Sequence, residues 1–285
     1  AFSREVVEIA GDYKKLVAEV VRIVDTRVEG GAAPDYDRES VAVFSANAEA
    51  DQASVWADLA SSEAAFFAAV GPGGAHLQGQ LALELGGAPT LPPVQELLDY
   101  LRQKRPDVLS ARARVDASEA SVEAARRSVF PGFALTVGTA FGNGPGQIDL
   151  SGAVSMPLPL VDRGQGKVSA ARDRVEQNRA EEQAILLPAE RLVVGVHTEV
   201  ERRRDAERSY VARVHMASEA MLREALAGYQ GGKLDILELA AAHVAWREAR
   251  VRALELSARA RMSEIELGRA AGISLREWAS RGGRT

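Results

Sequence analysis

The sequence predicts a mainly α-helical fold in which long antiparallel helices are interrupted by one β-hairpin. Three observations carry that reading. The 285-residue chain is rich in Ala, Glu, Arg, Leu and Val and only 5% aromatic, and these residues, valine apart, lose little on entering a helix. Apolar residues recur at three- and four-residue steps over long stretches with few breakers. Between residues 133 and 156 the period drops to two, the signature of strands with one apolar face.

The first helix is expected over residues 2–29, with Val6, Ile9, Tyr13, Leu16, Val20, Ile23 and Val24 on one stripe. Gly30 and Gly31 suit its C-terminus and Pro34 the start of the next. That second helix runs from about residue 36 to 70. The run GPGG at 71–74 breaks it, and a looser stretch ends in Pro89, Pro92 and Pro93. A third helix begins near Val94, is interrupted at Arg105-Pro106-Asp107, and resumes to about Val129.

The hairpin follows. Phe133, Leu135, Val137, Thr139 and Phe141 alternate with Ala134, Thr136, Gly138 and Ala140. After a turn at 142–147, Ile148, Leu150, Val154 and Met156 alternate with Asp149, Ser151, Ala153 and Ser155. A helical pattern then holds from Lys167 to Gln230, with Pro188 expected to kink or interrupt it. About 64 residues would make roughly 95 Å of helix, far longer than a small domain is wide, so antiparallel neighbours and other subunits are needed to cover it. Gly231 and Gly232 stop it, and a last long helix is expected over 234–271. The organisation is a helical hairpin over 1–90, a linker and helix over 91–129, the β-hairpin over 130–160, a second long helical hairpin over 161–272, and a tail over 273–285.

Several function classes fall away. A net charge of −5 disfavours nucleic acid as a partner. The absence of cysteine removes disulfides and thiolate metal sites. No segment approaches the ~20 apolar residues of a membrane-spanning helix. His76, His197, His215 and His243 are too scattered to share a helical face, so no metal site and no cofactor is expected. Neither a catalytic triad, a P-loop nor a dinucleotide fingerprint is present, so no catalytic residue is assigned. The charge run 201–208, ERRRDAER, reads as a solvated helix face laced by i,i+3 and i,i+4 pairs.

Two local features remain. The segments RVEGGAAPDYDRESVA (27–42) and GYQGGKLDILELAAAH (228–243) both set a Gly-Gly pair between long helices, with a carboxylate six residues past the second glycine: Asp37 after Gly31, Glu238 after Gly232. That is the mark of a duplicated helical hairpin. The β-hairpin poses the other question, because an isolated strand pair is marginal in water. Either it pairs with copies from other chains, or its solvent is not water. On the residues alone, a soluble helical-bundle scaffold capped by a small β-element stays open. Phe130, Phe133 and Phe141 near the ends of the first strand favour a membrane, while the second strand carries no aromatic residue.

These segments, together with RPDVLSARARVDASEASVEAARRSVFPGFALTVGTAFG (105–142) and VSMPLPLVDRGQGKVSAARDRVEQN (154–178), resemble the TolC-type outer-membrane factors, in the branch that includes CusC and CzcC. The resemblance covers about residues 94–272, with a weaker match before it. It implies a homotrimer in which each protomer gives strands to one outer-membrane β-barrel and long helices to a periplasmic α-barrel. It implies a passive exit duct for small molecules or metal ions, not an enzyme, working with a periplasmic adaptor protein and an inner-membrane pump. The lipid bilayer would meet Phe133, Leu135, Val137, Phe141, Ile148, Leu150, Val154 and Met156. The elbows would form the tunnel entrance and the adaptor contact through Gly31, Ala33, Asp37, Gly232, Leu234 and Glu238. The family carries two β-hairpins per protomer and only one is legible here, so the chain is expected to be truncated, lacking a signal peptide, the early helices and the first strands.

Overall fold

A computed structural model describes residues 2–71, 90–127, 132–141, 148–156 and 164–273. Phe130, His76, most of the glycine run at 71–74 and the tail after residue 273 lie outside them. The order of elements is α1 (Phe2–Glu29), α2 (Asp35–Val70), α3 (Val94–Lys104), α4 (Pro106–Arg127), β1 (Ala134–Phe141), β2 (Ile148–Ser155), α5 (Gln165–Gln230) and α6 (Ile236–Ala271). Each expected element is present, with ends shifted by one or two residues. Phe133 and Met156 fall just beyond the ladder, whose outermost pair is Ala134 with Ser155.

The sequence signals act as physical chemistry requires. Arg105 separates α3 from α4 in an extended conformation, φ −69° and ψ 122°, because the proline after it disfavours the helical region. Pro106 then opens α4, where its missing N–H costs nothing. The Arg105 guanidinium forks onto Asp107 at 2.9 and 3.0 Å and donates to the Ala270 carbonyl at 2.8 Å. The Arg-Pro-Asp run thus satisfies an orphan carbonyl at the end of α6.

Pro188 does not interrupt its helix. Helix α5 runs through it uninterrupted over 66 residues. The proline removes the N–H that would bond to the carbonyl of Ala184, and the helix is held on either side. Arg102 meets Glu190 at 2.7 Å and Arg112 meets Glu182 at 3.5 Å, while Ala189 and Val193 are buried.

The chain divides into two compact units. The first contains α1, α2, the C-terminal part of α5 and most of α6. Its core draws on all four helices: Val20 and Val24 of α1, Val41 of α2, Ala225 and Tyr229 of α5, and Leu239 of α6. Further along, Tyr13, Val17, Ala48 and Trp246 close a second cluster. The second unit contains α3, α4, the β-hairpin and α5 up to Val194. There Leu97, Leu101, Val108 and Val193 are fully buried, and Arg179 bridges α5 to Glu119 of α4 at 2.7 Å.

Strands β1 and β2 pair antiparallel in a two-stranded sheet. The register sets Leu135 against Val154, Thr139 against Leu150 and Phe141 against Ile148 on one face. Thr136 against Ala153 and Gly138 against Ser151 fall on the other. One face is therefore apolar and the other small and polar.

Replacing Pro188 with alanine restores one helical hydrogen bond and removes the ring's clash with the preceding turn. The expected outcome is a stability gain of about 1–3 kcal/mol, read as a higher thermal midpoint by circular dichroism with unchanged helix content.

Candidate functional site

The two Gly-Gly elbows share one helix-ending pattern. At the first, Ala32 N–H donates to the Arg27 carbonyl at 2.7 Å and Gly31 N–H to the Val28 carbonyl at 3.0 Å. At the second, Lys233 N–H donates to Gly228 at 2.8 Å and Gly232 N–H to Tyr229 at 3.0 Å. This six-to-one and five-to-two pair is the Schellman helix ending. It needs a left-handed residue after the cap, and Gly31 and Gly232 both have φ of 69°. A side chain at either position would be strained.

The next turns diverge. At the second elbow, Glu238 N–H donates to Asp235 Oδ1 at 2.8 Å, and Asp235 N–H donates to Glu238 Oε2 at 2.9 Å. That reciprocal capping box starts α6. At the first elbow Pro34 stands in the cap position with no side-chain bond, and Asp37 turns inward. Its carboxylate is buried and accepts a 2.8 Å hydrogen bond from the Tyr229 hydroxyl at the end of α5.

Tyr229 and Arg27 tie the two elbows together. The Arg27 guanidinium lies 4.5 Å over the Tyr229 ring, donates to the Tyr229 carbonyl, and donates to Ala32 of its own elbow at 3.1 Å. Burial, followed by the hydrogen bond to Asp37 and its charge, raises the Tyr229 phenol to about 12, against the opposing effect of Arg27. The hydroxyl thus keeps its proton through the neutral range and remains a donor.

Of the six elbow residues named from sequence, Gly31, Gly232 and Glu238 are exposed, Ala33 and Leu234 half-buried, and Asp37 buried. Leu234 folds back against Gly228. Sequence reasoning missed Arg27 and Tyr229. It also missed Tyr36 and Leu237, which are 61% and 56% exposed and stand at matching places, five residues past Gly31 and Gly232. Aligning the two elbow segments would have shown that match.

Near the elbows, His243 is 2% exposed. It donates from Nδ1 to the Leu239 carbonyl at 2.9 Å and meets the Phe44 ring edge to face. Burial pushes its imidazole below the ordinary value of 6.5, against weaker opposition from that hydrogen bond and from the charge of Glu19. His197 lies far along α5, 3.7 Å from Glu201. No group of three metal-ligating side chains occurs among the described residues. In the charge run, Arg208 pairs with Asp205 at the surface. Arg204 instead turns inward onto buried Glu264 of α6 at 2.7 Å.

On the hairpin, Phe133, Leu135, Val137, Ile148, Leu150, Val154 and Met156 are all between 54% and 80% exposed. The side chain of Phe141 lies outside the described residues. A soluble strand pair hides such a face. An exposed apolar face, small polar residues behind it and two open strand edges define a barrel-forming envelope protein.

The comparisons agree. The chain matches the outer membrane efflux protein family over residues 97–273 and belongs to that family. Membership places it in the outer membrane. It is 25% identical over 254 residues to the cobalt-zinc-cadmium resistance protein CzcC of Cupriavidus metallidurans, covering 88% of this chain and 60% of CzcC. The CusC transmembrane channel superposes with a TM-score of 0.73 at 21% identity, over 96% of this chain and 65% of CusC. The outer membrane protein VceC of Vibrio cholerae gives 0.71 at 21%, over 96% and 67%. The chain thus spans about two thirds or less of the length of CzcC and CusC. The two structures establish the fold.

Two outcomes follow from the elbow geometry. Changing Tyr229 to Phe leaves the buried Asp37 carboxylate without its donor and is expected to cost about 1–3 kcal/mol in denaturant unfolding. Because the folded-state pKa of His243 is depressed, its contribution is intact above the unfolded value of 6.5 and declines as pH falls below it. Stability measured between pH 7.5 and 5 should fall less steeply in His243→Phe than in the parent.

Proposed function

We propose that the chain forms part of a passive, trimeric exit duct of a tripartite efflux pump. The observation that carries this reading is the exposed apolar face of the hairpin. Each large side chain moved from water into hydrocarbon gains about 1.5–3 kcal/mol, and closing strands into a barrel satisfies the open edges that lipid would not tolerate. The side chains of β1 and β2 on the opposite face would line a water-filled lumen.

The elbows are the entrance. Exposed backbone at Gly31 and Gly232 lets a partner's main chain approach closely. Tyr36 and Leu237 offer one apolar contact at each tip, with Ala33, Leu234 and Glu238 beside them. Asp37 is a positioning residue: through Tyr229 it fixes one hairpin against the other and so sets the aperture at rest. A periplasmic adaptor would bind these tips, and an inner-membrane pump would supply the energy. Cargo passes by diffusion, so the duct needs no ligand set of its own. The name of CzcC makes divalent cobalt, zinc and cadmium the first cargo to try, with small organic molecules as the alternative.

Extraction and sizing test the reading. The protein should leave membranes only with detergent and run as a trimer, and Leu150→Arg should reduce insertion, since a cation at the midplane of a barrel's lipid face costs about 2–4 kcal/mol. A water-soluble monomer with unaltered behaviour in Leu150→Arg would overturn it. In planar bilayers the parent should conduct weakly, and Tyr229→Phe should conduct more by unfastening the hairpins.

A further inference from the structure

An open groove of about 870 Å³ is lined by all four helices of the first unit, away from the elbow contacts. Its size falls within the range of about 300–1,000 Å³ typical of small-molecule sites, and the space between helices of a bundle is a recurrent place for them. Every helix contributes apolar surface: Ile9 of α1, Val55 of α2, Val214 and Met221 of α5, and Val251 of α6. Met221 adds a flexible thioether that adapts to a guest's shape.

The polar groups at the mouth are of two kinds. Arg247 is paired with Asp51 of α2, and Arg252 with Glu255 at 2.9 Å. Arg213 has no carboxylate among the described residues. Its guanidinium reaches only the carbonyl and hydroxyl of Ser209, at 3.0 and 2.8 Å. One turn before it on the same face of α5, the Tyr210 hydroxyl has no hydrogen-bond partner among the described residues, and both side chains line the groove. Glu248, at the other part of the rim, is exposed to water. A cation and a phenol donor side by side at the edge of an apolar groove fit a guest with a flat or branched apolar body and one carboxylate.

We propose that this groove binds amphipathic organic anions, with the apolar body along its floor and the carboxylate on Arg213 and Tyr210. The site is separate from the elbow contacts, and its occupancy does not depend on the pump reading.

Photolabelling of the purified protein in lipid nanodiscs tests it. The probe is 4-benzoylbenzoate, with cationic 4-(aminomethyl)benzophenone as the control, and modified peptides are located by mass spectrometry. The anion should label residues 214–221 and 245–251 saturably. Arg213→Gln should raise the half-saturating concentration about tenfold, and Ala217→Trp, which fills the groove, should abolish labelling while helix content is kept. Labelling spread evenly over the helices, equal labelling by the cation, or no response to Arg213→Gln would overturn the proposal. If Ala217→Trp fails to fold, Arg213→Gln decides alone, because Arg213 is exposed and carries no core contact.

Discussion

Every backbone N–H and C=O must find a partner, and in this chain that requirement is met in two unequal ways. In the helices the ladder is internal, and the ends are closed by local devices: twin Schellman motifs, one capping box, and an arginine that reaches the Ala270 carbonyl in the last turn of α6. In the hairpin only the inner edges of β1 and β2 are satisfied. The outer edges and the apolar face find no partner among the described residues. That deficit decides the rest: it calls for lipid on one face and further strands at both edges.

The first unit shows how a narrow assembly of helices is kept in register without a large core. Its apolar clusters are small and spread along the helices, with valine and alanine prominent. Polar groups between helices supply the discrimination that so thin a core cannot. The Arg27–Tyr229–Asp37 set works at one end, and Arg204 on buried Glu264 lies further along. Buried ion pairs add little net stability, since desolvation offsets much of the attraction. What they do is penalise wrong alignments, because a helix that slips by one turn strands a buried charge.

Much of this was legible in the residues. Stripes at three- and four-residue steps placed the long helices, and the switch to period two placed the hairpin within one residue of its ends. The glycine pairs marked both elbows because left-handed backbone excludes side chains. Pro188 does not break α5, since a long helix gripped by ion pairs and buried neighbours on either side absorbs one missing hydrogen bond. Asp37 and Glu238 looked equivalent, yet one is drawn inward by a tyrosine 192 residues away and the other closes a local cap. Contacts at that sequence separation leave no periodic trace. Arg27 and Tyr229 were invisible for the same reason.

The elbows carry a last consequence. Both end a helix with the same Schellman pair and a left-handed glycine, so an ancestral duplication would account for their likeness. The two elbows now differ in their acids: Asp37 is locked inside against Tyr229, and Glu238 stays at the surface. In the proposed trimeric duct the rim would alternate between two chemical characters, and a protein binding along it would have to tolerate both or choose every second position.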